Sequence, residues 1–79
     1  MTTKAQIASW FDRGVAEGAS HMLVLCDTFD YDDYPVYVNT VEEARERYNK
    51  PGDMQRVMEV YNLSMDKDAQ LDKGRVFNF

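Results

Sequence analysis

A single cysteine, Cys26, is all the sulfur chemistry the chain can bring beyond its methionines. One thiol cannot form an internal disulfide, and a cysteine-based zinc site would need more thiolates. Small secreted domains usually carry several bridges, so the count points to a reducing compartment, with the cytoplasm the expected location. Long apolar runs are missing too. The longest, 22–26, is far too short to span a bilayer, and no apolar leader opens the sequence, so no membrane partner is expected. Basic residues are outnumbered 9 to 14, giving a net charge of −5. Direct DNA or RNA binding, which relies on basic surface to displace counterions, is therefore disfavoured. Glycine-rich phosphate loops, repeats and linkers are absent, and no Ser-His-Asp or Cys-His set can be assembled convincingly.

What the sequence does have is the composition of an ordinary globular protein: 44% hydrophobic and 29% charged. Its length gives room for one domain over 1–79, built on one core. Thr3 and Gln6 have capping-box spacing ahead of a stripe of Ile7, Trp10, Phe11 and Val15, which predicts a helix ending near Gly18, with Gly14 a mild local weakness. Residues 21–27 read as a strand apolar on both faces, hence central, with Met22, Val24 and Cys26 on one side and Leu23 and Leu25 on the other. Pro35 forces Tyr34 into extended backbone and belongs at the start or edge of a second short strand through Val36, Tyr37 and Val38, joined to the first as a hairpin. Thr40 and Glu43 open a second helix that Lys50-Pro51-Gly52 ends.

Beyond that break, Met54, Val57, Met58, Tyr61 and Met65 recur at helical spacing, and Asp53 can cap a third helix carrying them. A frayed turn over 66–73 before Gly74 and either a third strand or a docked tail over 76–79 complete the chain. The fold class expected is α+β: a small two- or three-stranded antiparallel sheet against two to three helices. Trp10 is expected to pack on the Val57, Met58 and Tyr61 stripe. Cys26, inside an apolar strand, is expected to be buried and inert, and His21 to be structural, without a nucleophile–base geometry to Ser20.

The densest polar constellation is Asp27-Thr28-Phe29-Asp30-Tyr31-Asp32-Asp33-Tyr34-Pro35. Oxygen-rich clusters suit hard cations, and a metal-dependent enzyme would use Asp27 and Asp30. Against that, the loop lacks the central glycine and closing glutamate of an EF-hand, and the three-residue spacing of Asp27 and Asp30 is one longer than the dehalogenase pattern. A solvated turn is the plain alternative. Acids mixed with aromatics suit recognition better than chemistry, because tyrosine offers contact area at low entropy cost. Asp27, Phe29, Asp30, Tyr31, Asp32, Asp33 and Tyr34 are therefore the candidate binding residues, with no catalytic residue and no cofactor expected.

The run HMLVLCDTFDYDDYPVYV over 21–38, with MQRVMEVY over 54–61 and DAQL over 68–71, resembles a pattern in small proteins of bacterial and bacteriophage genomes. The resemblance covers about two-thirds of the chain, brings no activity with it, and implies a phage-borne or mobile-element accessory protein. The function expected is non-catalytic binding of a host protein with a basic surface, including inhibition of host defence. A small-ligand, nucleotide-type sponge or sensor, built at a homo-oligomer interface, is the alternative reading.

Overall fold

The computed structural model describes residues 2–52, 54–73 and 75–79. The order of elements is α1 (Lys4–Ala16), β1 (His21–Asp27), β2 (Asp33–Val38), α2 (Val41–Asn49), β3 (Gln55–Asn62) and α3 (Lys67–Asp72). The three strands form one antiparallel sheet in the order β2-β1-β3. The α+β class holds, and β1 is the central strand. No helix among the described residues is long and apolar enough to cross a membrane.

Both N-terminal helices start where their side chains can satisfy free backbone N–H groups. Thr3 Oγ1 accepts from Gln6 N, and Gln6 Oε1 accepts from Thr3 N, completing the capping box. Thr40 Oγ1 accepts from Glu43 N at the head of α2, and Asp66 accepts from Ala69 N at the head of α3. Gly18, at φ +77, ends α1 in the left-handed conformation that glycine adopts without cost. Gly14 departs from expectation. It is buried, and a Cβ there would lie 2.8 Å from both the Leu63 side chain and the Tyr37 ring. The close approach of α1 to the sheet requires a glycine at this point.

Because β1 is apolar on both faces, the sheet is covered on both. Met22 and Val24 meet Ile7 and Phe11 of α1, Tyr61 of β3, and Leu71 of α3. Leu23 and Leu25 meet Ala44 of α2, with Val38 and Val60. Phe11 stands edge-on to Tyr61, with ring centroids 6.4 Å apart, a favoured aromatic geometry.

The segment read as a methionine-striped helix is the strand β3. Its register explains why the period misleads. Val24 faces Glu59 but Leu25 faces Val57, so Met58 is the extra residue of a β-bulge. The bulge restores the pleat one residue out of step. Val57 and Val60, three apart, both pack on the α2 side, while Met58 and Tyr61, also three apart, both pack on the α1 side. A strand of period 2 thereby acquires the i, i+3 spacing of a helix. Met54 and Met65, the ends of the stripe, are exposed. The expected cap at Asp53 and the stop at Gly74 lie outside the described residues. Residues 76–79 form a docked tail that makes a single parallel bridge, Val60 to Phe77.

Both outer edges of the sheet are modified. Asp27 N donates to Asp32 O, so Asp27 and Asp32 form a hydrogen-bonded pair. Counting back in twos, Val24 and Pro35 form a non-hydrogen-bonded pair, and the nitrogen of Pro35 points away from β1. Proline is accommodated there because that N–H would face outward. On the other side, Val60 N donates to Val76 O and accepts Asn78 N at its own carbonyl. The next outward-facing residue, Asn62, has no strand beside it. The side chain of Gln70 replaces one: its Oε1 accepts from Asn62 N and its Nε2 donates to Asn62 O, both at 3.0 Å. Gln70 is 2% exposed.

Candidate functional site

The β1–β2 connection, 28–32, is a tight turn closed by Tyr31 N donating to Asp27 O. Asp27 Oδ1 accepts from Phe29 N at 2.8 Å, a local side-chain turn that aspartate favours. Tyr31 completes the turn at φ 59, and Met54, whose carbonyl accepts from Thr28 N across the gap, has the same φ. Glycine or asparagine is usual at such positions, because left-handed backbone crowds the Cβ of other residues. Two bulky side chains thus stand on unfavourable backbone at one end of the sheet.

The candidate residues divide into two groups. Phe29 and Tyr31 are 73% and 78% exposed, and Asp30 and Asp32 are exposed beside them. Asp27 and Asp33 are half-buried in the strands that the turn joins, and Asp33 Oδ2 accepts from Thr2 Oγ1. Tyr34 faces the opposite side of the sheet, packs against the α2-side core, and its hydroxyl accepts from Gln55 Nε2 at 2.7 Å. It is a packing residue, separate from the tip.

Sequence reasoning missed what lies beside the tip. Tyr31, Asp32 and Asp33 share a groove of about 330 Å³ with Thr2, Gln6 and Trp10. Trp10 is only half-buried, so its ring serves both the α1-side core and this groove. It packs on the α1-side cluster that contains Tyr61, with Met58 on the same face, whereas Val57, expected in the same stripe, lies across the sheet. The signal that could have placed Trp10 here was its position one residue before Phe11: a helix stripe has one centre, and Phe11 occupies it.

The metal-site alternative lacks geometry. Among the described residues, no three His, Cys, Asp or Glu side chains come close enough together to hold an ion. Nor, among the described residues, is any loop acid in an ion pair. The ion pairs among the described residues are Lys4–Asp72 and Lys67–Asp12, both elsewhere.

Cys26 is half-buried rather than buried, because it lies at the end of β1 where the helices no longer cover the sheet. Partial burial, then the hydrogen bond and charge of Asp33, push its thiol up, with Arg56 opposing. A raised thiol is a poor nucleophile at neutral pH.

His21 is buried, and its Nδ1 lies 2.8 Å from Ser20 Oγ, a hydrogen bond that sequence reasoning did not anticipate. A Ser–His pair works as nucleophile and base when a third group orients the other ring nitrogen. Here Nε2 is buried with no partner among the described residues. The groove of about 230 Å³ that Ser20 and His21 line together with Val15, Ala19, Asn62 and Ser64 supplies no acid.

Two tyrosines depend on their protons. Tyr61 donates to Glu59 Oε2 at 2.6 Å, and burial together with that bond raises its pKa well above the ordinary tyrosine range. Tyr37 donates to Trp10 O at 2.7 Å, and burial raises it, opposed by Arg13 and reinforced by Glu17.

No protein-family model matches this chain, and no curated protein or solved structure is similar to it.

Proposed function

We propose that the chain is a non-catalytic protein-binding domain whose acidic, aromatic hairpin tip engages a basic surface of a partner. The observation that carries this reading is the exposure of Phe29 and Tyr31 together, ringed by Asp30 and Asp32. Apolar ring surface left in water forgoes roughly 25 cal/mol per Å² that burial would return, and a domain this small has few rings to spare. An aromatic centre with a charged rim is the anatomy of a protein interface. The resemblance of 21–38 to phage and bacterial sequences makes a host protein, including one of host defence, the class of partner this reading favours.

The test begins with capture from a host lysate and identification of the partner, which is then purified for calorimetry and association kinetics. Asp30→Asn with Asp32→Asn should slow association and flatten its salt dependence, because rim charges steer encounter. Phe29→Ala should speed dissociation. Thermal unfolding of all variants should match the parent. Unchanged rates and affinity in both variants would put the contact elsewhere on the molecule.

A further inference from the structure

The groove between α1 and the hairpin has walls of two kinds. Two aromatic residues, Trp10 and Tyr31, and two acidic ones, Asp32 and Asp33, line it. Asp33 accepts from Thr2 Oγ1 and is bonded to the Cys26 thiol, and a carboxylate has about four acceptor sites, so room remains for others. Asp32 is exposed at the rim. Lys4, the lysine nearest in sequence to the groove, is paired with Asp72 at 3.1 Å.

Each class of occupant meets this lining differently. An anion would face two carboxylates and no cation among the described residues that line the groove. A bare metal ion needs several ligands converging at short range, and the described residues offer no such set. An apolar side chain would strip water from both acids without compensation. An organic cation satisfies both kinds of wall, since its charge is attracted to the faces of aromatic rings and to the carboxylates alike. Between the two cationic side chains, lysine is a compact, strongly hydrated point charge. Arginine is flat, more weakly hydrated and forked, able to stack on a ring while donating two parallel hydrogen bonds to one carboxylate. We propose that this groove seats an arginine side chain of the partner protein, with Trp10 and Tyr31 flanking the guanidinium and Asp32 and Asp33 accepting its hydrogen bonds. This rests on the reading of the hairpin tip as a protein-binding face and names the chemistry that face selects.

Trp10 is the only tryptophan, so its fluorescence reports on the groove directly. The probes are three short peptides, acetylated and amidated, that differ at one central residue: arginine, lysine or uncharged citrulline. The arginine peptide should change Trp10 emission saturably, and the lysine peptide should bind roughly fivefold more weakly. The citrulline peptide should give no saturable change. Asp32→Asn and Tyr31→Asn should each weaken the arginine peptide by roughly fivefold or more, asparagine being chosen for Tyr31 because it accepts left-handed backbone. Glu42→Gln, on α2 across the sheet, should leave binding unchanged. Equal binding of the arginine and lysine peptides, or an equal loss in Glu42→Gln, would reduce the effect to diffuse charge and overturn the proposal. So would the lack of any saturable response to arginine. If that response is lacking while Phe29→Ala still weakens the identified partner, the arginine seat fails and the hairpin interface stands.

Discussion

Tyr31 carries an exposed ring on backbone that a residue with a Cβ adopts only at a cost of roughly 1–2 kcal/mol. A ring 78% exposed recovers little of that cost by burial. Tyr31→Asn should therefore raise stability by about 1 kcal/mol in urea unfolding. A destabilised Tyr31→Asn variant would mean that the ring packs in a way the structure does not show. The neighbours Trp10 and Phe11 make the opposite comparison. Phe11, 4% exposed and edge-on to Tyr61, should cost about 3–5 kcal/mol on replacement by alanine. Trp10 is half-buried, and its main-chain bond from Tyr37 survives truncation, so Trp10→Ala should cost about 2 kcal/mol. Chemical denaturation of the two variants tests the order. At this scale the sequence showed which residues are acidic, aromatic or apolar, and not which of them share a cleft. Trp10 and Asp32 are brought together only by the turn of the hairpin over α1.

Elements were legible where local chemistry decides them. The capping residues, the glycine at the end of α1, the two-faced apolar run of β1 and the proline of β2 each have a local physical cause that survives into the fold. β3 was not legible, because its bulge is a property of pairing with β1 and does not exist in the segment alone. The Gln70 clamp is likewise invisible in sequence: a buried glutamine standing in for a strand depends on where α3 docks. Replacing Gln70 by alanine should leave the N–H and C=O of Asn62 without their partners and cost about 3 kcal/mol. Gln70→Glu separates the two halves of the clamp, since a carboxylate can accept from Asn62 N but cannot donate to Asn62 O. Hydrogen exchange at the Asn62 amide should stay slow in Gln70→Glu and become fast in Gln70→Ala. Equal protection in the two variants would show that the clamp is unimportant.

A molecule of 79 residues has only a few kcal/mol of stability to lose, so a small number of linked protons can matter to the whole. The tyrosines supply them at the alkaline end. Tyr61 and Tyr37 have raised pKa values in the folded state, so above the ordinary tyrosine value of about 10 the native chain holds more protons than the unfolded one. Stability then falls as pH rises, being fully present below that value and lost on the way up through the folded pKa values. Thermal unfolding should be flat between pH 7 and about 9 as far as these groups are concerned, then decline steeply, and Tyr61→Phe should remove part of the decline. An identical alkaline slope in the parent and in Tyr61→Phe would remove Tyr61 from the account. The outward nitrogen of Pro35 bears on a different hazard. An open strand edge is a template on which sheets from neighbouring copies can join without limit, and this chain has one edge interrupted by proline and the other partly covered by Gln70 and the C-terminal tail. A crowded solution of such molecules meets mostly at side chains, so the hairpin tip exposes its rings without also offering backbone on which a fibre could grow.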